Sequence, residues 1–233
     1  MKDRVGAILR EEQERYLERL QPPRDPLLAE MEAWAAEHGV PISDPEVGRL
    51  LELLAAAVAL RRSGEASPPR ILELGTAIGY GALVLARGSP EARITTIDRD
   101  AAMLARAGEY LGRAGVLDRV ELLLGEALEV LETLDGPFAL AYVDAEKVHY
   151  RRYLDRILPR LEVGGLVLFD NLLWKGRVAE PREDEDAAAD ALRAFNGYFM
   201  IHPQLRSQVL AIGDGFGIGT KIRPLIQELG GPY

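Results

Sequence analysis

The apolar positions change their period once along the chain. Between residues 3 and 20 they are set among alternating Arg and Glu. Between 25 and 38, Leu27, Leu28, Met31 and Trp34 recur at helical spacing, and residues 44–62 form a Leu- and Ala-rich run behind a capping residue. These periods predict three successive helices, read as a helical extension over residues 1–62 that packs on the core domain. The stretch 63–69, SGEASPP, interrupts them as a surface linker. From residue 70 the pattern turns to short apolar runs at 71–74, 94–98, 120–125, 138–144 and 166–170, separated by helical patterns at 80–87, 100–114, 127–134 and 150–161. Short, largely apolar runs of that length suit buried parallel strands. Their alternation with helices is the βαβ rhythm of an α/β, doubly wound sheet, which assigns residues 63–233 to the core of one structural domain. After a polar segment around 181–190, a helix through Phe195 leads to two last strands, about 208–212 and 216–222. The turn Gly213-Asp214-Gly215 between them predicts an antiparallel hairpin.

Composition narrows the chemistry. With 233 residues, 48% hydrophobic and 28% charged, the chain has the profile of a globular protein able to bury a sizeable core. No apolar run approaches the roughly 20 residues of a membrane span. The N-terminal stretch, rich in Arg and Glu, lacks the apolar region of a signal peptide, so a cytoplasmic protein without a membrane partner is expected. Zero cysteines exclude disulfides and thiolate chemistry, which leaves oxygen or imidazole for any metal. A net charge of −9 disfavours a broad nucleic-acid surface.

Three constellations lie at the predicted strand ends, where an open α/β sheet binds its ligands. The first, Glu73-Leu-Gly75-Thr76-Ala-Ile-Gly79-Tyr80-Gly81, is a glycine-rich turn from strand to helix. Its spacing is neither that of a dinucleotide fingerprint nor that of a phosphate-binding loop, and Glu73 would repel a pyrophosphate while suiting an ammonium group. The second is Asp98, at the end of the next strand beside Arg99. A carboxylate there can accept from both ribose hydroxyls of an adenosine cofactor, which by itself leaves NAD and S-adenosyl-L-methionine open. The third pairs Asp144-Ala-Glu146-Lys147 with Asp170-Asn171 on strands whose ends lie about 5 Å apart. Two carboxylates and an amide oxygen suit a hard cation, Mg2+ or else Mn2+ or Ca2+. Lys147, three residues beyond one of them, can act as a general base, although a metal alone can also ionise an acceptor hydroxyl. His149 and His202 read as structural or exposed.

Taken together, ILELGTAIGYGALVLA, ITTIDRD, YVDAEKVHYRRYL, GGLVLFDNLLWKGRV and IGDGFGIGTKI resemble the cation-dependent O-methyltransferases of the caffeoyl-CoA and catechol type, in their bacterial branch, over about residues 42–222. The resemblance implies a Rossmann-like class I methyltransferase with a seven-stranded, mostly parallel sheet containing one antiparallel strand, and a homodimer. It matches Asp144, Asp170 and Asn171 to metal ligands and assigns Lys147 the role of base. Glu73, Gly75, Asp98, Ala127 and Glu146 match cofactor contacts, as does Ser43. Thr76, Gly79, Tyr80, Gly81, Arg99, Gly125 and Glu126 join them as neighbours in the same loops. Trp174 and Lys175 are candidates for the acceptor wall. The chain departs from the family at Gly81, where a serine hydroxyl usually contacts the cofactor, at Glu126, where a small residue or aspartate is frequent, and at Lys175, which replaces an acceptor-facing asparagine of plant members. The implied activity is methyl transfer from S-adenosyl-L-methionine to a hydroxyl of a catechol-like small molecule. Methylation of hydroxyuridine in tRNA on the same fold and a NAD-dependent dehydrogenase are the alternatives.

Overall fold

In a computed structural model of the chain, residues 11–223 are described except 24, 63, 65 and 181–185. The first part of the helix expected over 3–20, parts of the 63–69 linker and the first half of the polar segment at 181–190 therefore lie outside the described residues. Three helices, α1 (Glu11–Leu20), α2 (Pro26–His38) and α3 (Pro45–Arg61), precede the first strand, β1 (Arg70–Leu74). Next come α4 (Tyr80–Gly88), β2 (Arg93–Asp98), α5 (Ala101–Arg113), β3 (Val120–Leu124), α6 (Ala127–Thr133) and β4 (Phe138–Val143). The chain closes with α7 (Tyr150–Arg160), β5 (Leu161–Phe169), α8 (Ala187–Ile201), β6 (Leu205–Leu210) and β7 (Phe216–Lys221).

The seven strands form one sheet in the order β3-β2-β1-β4-β5-β7-β6. β7 runs antiparallel to both of its neighbours, and the other adjacent pairs are parallel. This is the expected mostly parallel sheet with one antiparallel strand. Two boundaries differ from the sequence reading. β5 begins at Leu161 rather than 166, because Leu161 pairs with Phe138 ahead of an irregularity in the β4–β5 register. β6 begins at Leu205 rather than about 208, paired with Lys221. Neither extension carries an uninterrupted apolar run, so neither is marked by periodicity.

Side chains alternate between two cores. Ile71, Ile94, Leu140, Tyr142 and Leu168 face a layer made by α2, α3, α4 and α5, where Met31, Leu51, Ala55 and Val58 are buried with them. Leu72, Leu74, Ile97, Ala141, Val143 and Phe169 face α7 and α8, where Tyr150, Leu154, Phe195 and Phe199 fill the space. α2 and α3 thus share one core with the sheet. β4 is buried at every position, as its apolar run requires of a central strand covered on both faces. Tyr142 interrupts that run with a phenol. Its neighbours in register are Glu73 on β1 and Leu168 on β5, and Glu73 in turn pairs with Thr96 on β2. A polar row, Thr96–Glu73–Tyr142, therefore crosses the middle of the sheet on the α3 and α4 side. Among the described residues no helix is long and apolar enough to cross a membrane.

Candidate active site

Hydrogen bonding continues past the strand ends and draws the three expected constellations together. Gly75 N–H donates to Ile97 O, Asp144 N–H to Leu74 O, Gly125 N–H to Asp98 O and Asp170 N–H to Val143 O, at 2.9 to 3.0 Å. Gly75, at φ +95°, lies so close to the end of β4 that a Cβ would collide with the Asp144 carbonyl oxygen. Only glycine combines that dihedral with that approach. Above this edge opens a cavity of about 460 Å3, within the roughly 300–1,000 Å3 of ligand clefts. Of the expected cofactor residues, Ser43, Glu73, Gly75, Thr76, Tyr80, Gly81, Asp98, Arg99, Gly125, Glu126, Ala127 and Glu146 line it, with Asp144, Lys147, Asn171 and Trp174 from the expected metal, base and acceptor sets.

Gly79, Asp170 and Lys175 do not line the cavity. Gly79 is the left-handed residue ahead of α4 and packs on Ala107. Asp170 is buried, 1% exposed, just past the end of β5. Lys175, a candidate for the acceptor wall, is exposed, with its backbone N–H held by Asp214 Oδ1 at 2.6 Å. The cause is a tight turn through Trp174, Lys175 and Gly176 at φ +48°, +55° and +88°. Trp174 is instead fixed at the rim by an Nε1–H bond of 3.1 Å to Asp186, the residue that caps α8.

The electrostatics of the site follow from burial. Glu73 is 1% exposed, and burial lifts its carboxyl from 4.5 to about 8. The Thr96 hydroxyl, donating at 2.6 Å to Oε2, opposes that rise, while the charges of Asp144 and Asp98 add to it. Thr76 Oγ lies 2.6 Å from Thr96 Oγ and completes the chain as its donor. Glu73 Oε1 has no partner among the described residues and is aimed at Gly81, where any Cβ would collide with it. An unpaired, buried carboxylate oxygen facing a ligand cavity fits an incoming ammonium group, since such an oxygen is costly to leave unsatisfied. Gly81 therefore does more than omit the family's serine, because it makes the space that Glu73 occupies. Asp98 accepts from Ala77 N–H at 2.8 Å and Asp100 N–H at 3.0 Å. Those bonds orient the carboxylate and leave lone pairs for ribose hydroxyls. Arg99 reaches Glu126 and Glu146 only at 4.0 and 3.9 Å in the open, pairs that contribute little to stability.

Lys147 Nζ lies 2.6 Å from Asp144 Oδ1, both side chains being largely buried. Asp170 receives Asn171 N–H on Oδ1 at 2.7 Å and the Tyr142 hydroxyl on Oδ2 at 3.0 Å. Burial, and next the charge of Asp144, hold the Asp170 carboxyl above the usual carboxylate range, against those two hydrogen bonds. Among the described residues no three His, Asp or Glu side chains cluster as a metal site. The expected set instead contains two carboxylates and an amide. Its fit to a divalent cation rests on an all-oxygen donor chemistry and on two acids close enough to repel, a combination that a hard cation relieves.

Seven lining residues were not among the expected site residues: Pro41, Ile42, Ala77, Ile97, Tyr142, Ala145 and Tyr153. Of these only Tyr142, a phenol inside an otherwise apolar strand, carried a signal by which it could have been singled out. His149 stacks edge-on against Tyr153 at 6.1 Å, and His202 Nδ1 accepts from Gln204 N–H at 3.2 Å. Neither lines the cavity.

A doubly wound sheet ordered 3-2-1-4-5-7-6, with a glycine turn after β1, an acid after β2 and a cavity over the carboxyl edge, defines a Rossmann-like class I methyltransferase. The O-methyltransferase family profile matches residues 43–222. The chain belongs to that O-methyltransferase family, whose cofactor is S-adenosylmethionine. It is 36% identical over 144 residues to a catechol O-methyltransferase of Mycobacterium tuberculosis, covering 61% of this chain and 62% of that relative, a little under two thirds of its length. It is 30% identical over 189 residues to a caffeoyl-CoA O-methyltransferase of Populus kitakamiensis, covering 76% and 75% of the two chains. Among solved structures, the O-methyltransferase TomG of Streptomyces achromogenes, in complex with SAM and involved in tomaymycin synthesis, superposes with a TM-score of 0.79 at 28% identity, covering 91% and 96% of the two chains.

Proposed function

We propose that this protein transfers the methyl group of S-adenosyl-L-methionine to one hydroxyl of a vicinal-diol aromatic small molecule, in a reaction that depends on a divalent cation. The observation that carries this reading is the Asp144–Lys147 ion pair in the lining of the cofactor cavity together with Asn171, whose backbone N–H is held by the buried carboxylate of Asp170.

The chain's own residues divide the work. Glu73 takes the ammonium of the cofactor, Asp98 its ribose hydroxyls, and the Gly75 loop admits the methionyl part to the floor of the cavity. Trp174, pinned by Asp186, walls the acceptor ring. The acceptor oxygen attacks the sulfonium methyl in line. A C–O bond forms as the C–S bond breaks, and the electron pair stays on sulfur in S-adenosylhomocysteine. The hydroxyl proton passes to Lys147 Nζ, which must first have released its own proton to solvent. Asp144, Asp170 and Asn171 would hold the cation, preferably Mg2+ with Mn2+ or Ca2+ as substitutes, which supplies Lewis acidity that lowers the pKa of a chelated hydroxyl.

The test is labelled S-adenosylmethionine offered with catechols, caffeoyl thioesters and hydroxyuridine-containing tRNA, with and without EDTA. Methylation of a catechol that EDTA abolishes is the expected result. Methylation unaffected by EDTA would sink the metal requirement, and tRNA as the sole acceptor would replace the small molecule. Saturation by NADH without response to S-adenosylhomocysteine would overturn the reading altogether. The net charge of −9 weighs against the tRNA alternative.

A further inference from the structure

Tyr142 joins the two halves of the site through a hydroxyl that plays no part in the methyl transfer itself. Its side chain is 1% exposed. Its oxygen lies 2.8 Å from Ser43 Oγ and 3.0 Å from Asp170 Oδ2. Ser43 belongs to the segment ahead of α3 and lines the cofactor cavity, whereas Asp170 follows β5 and is buried away from the cavity lining. The phenol reaches both because β4 lies between β1 and β5 and presents Tyr142 on the face covered by α3.

The directions of these bonds follow from proton counting. A phenol has one proton to give. When Asp170 is ionised, as cation binding requires, it can only accept, and its Oδ1 already takes the Asn171 N–H, so the Tyr142 proton points to Oδ2. Ser43 must then donate its own proton to the Tyr142 oxygen. Its Oγ is left with lone pairs alone, so toward the cofactor it can accept from an ammonium but cannot donate to a carboxylate.

We propose that Tyr142 is a positioning residue: it orients Asp170 for cation binding and, through the same hydroxyl, commits Ser43 to act as an acceptor toward the cofactor. This rests on the metal-dependent function proposed for the site. The asymmetry is specific. Loss of the phenol should disturb the cation side, where Asp170 loses a hydrogen bond that fixes its carboxylate. The cofactor side should change little, since Ser43 keeps its oxygen.

The experiment measures Mn2+ binding by the free-ion electron paramagnetic resonance signal and S-adenosylhomocysteine binding by calorimetry, without turnover. The proteins are wild type, Tyr142→Phe, Ser43→Ala and the double variant, each with its melting temperature. Tyr142→Phe should weaken Mn2+ binding about tenfold, in the range found when a group supporting a metal ligand is removed, while S-adenosylhomocysteine affinity stays within about twofold. Ser43→Ala should weaken Mn2+ binding by less, and the double variant should bind Mn2+ as Tyr142→Phe does, because the serine acts through the phenol. Wild-type Mn2+ affinity in Tyr142→Phe would overturn the proposal alone, and additive losses in the double variant would overturn the relay. Parallel loss of Mn2+ binding, cofactor binding and melting temperature would mark the tyrosine as structural only. Absence of Mn2+ binding by the wild type would overturn the metal assignment and this proposal with it.

Discussion

Replacing Glu73 by glutamine should make the cofactor-free protein more stable, and increasingly so as the pH rises. Burial lifts the folded-state pKa of Glu73 from 4.5 to about 8. The folded protein therefore holds this proton more tightly than the unfolded chain does. The contribution to stability is fully present below pH 4.5 and is lost as the pH rises through 8. At about 1.4 kcal/mol per pH unit, the ionisable side chain costs the native state about 1 kcal/mol at pH 5, about 3 at pH 7 and about 5 at pH 9. Glutamine removes that dependence while keeping a carbonyl for the Thr96 hydroxyl. Any change in packing or in the unpaired Oε1 adds a constant offset, and Asp170 titrates in both proteins and cancels from the difference. The stability gap between Glu73→Gln and wild type should thus widen by about 4 kcal/mol between pH 5 and pH 9, measured by urea unfolding of the cofactor-free proteins. A gap that stays constant over that range would refute the reasoning. The same substitution should weaken S-adenosylhomocysteine binding by about 2 kcal/mol, because a charged hydrogen bond to the ammonium is lost.

Three further outcomes are expected. Lys147→Met should lower kcat by about 10²- to 10⁴-fold, the range of general-base catalysis, with cofactor affinity unchanged; a kcat within threefold of wild type would remove the lysine from the proton's path. Asp170→Ala should abolish EDTA-sensitive turnover yet leave S-adenosylhomocysteine binding intact, since Asp170 is buried and does not line the cavity, and full turnover would refute its role as a ligand. Light scattering should return twice the chain mass, because Leu53 and Leu60, seven residues apart on one face of α3, are 65% and 76% exposed. A monomer at micromolar concentration would dismiss the dimer.

The βαβ alternation was legible because a parallel strand covered on both faces is predominantly apolar, and the short runs of β1 and β4 stand out between helical patterns even with Glu73 and Tyr142 among them. The glycine turn, Asp98 and the acids after β4 and β5 were legible for a related reason: a doubly wound sheet binds at its carboxyl edge, so chain order alone assigns polar residues at strand ends to the site. The early starts of β5 and β6 were hidden, since their extensions depend on a partner strand rather than on periodicity.

By itself, then, the sequence determined the class of fold, the family and which residues gather at one edge, all of which follow from local patterns and their order. Only the tertiary structure decided how those residues meet. It exposed Lys175 on a left-handed turn, buried Asp170 away from the cavity lining, filled the space left by Gly81 with an unpaired carboxylate oxygen, and tied Ser43 to Asp170 through Tyr142. Burial and hydrogen-bond direction depend on neighbours supplied by distant parts of the chain, here 99 residues away for Ser43 and Tyr142, and no local pattern records them.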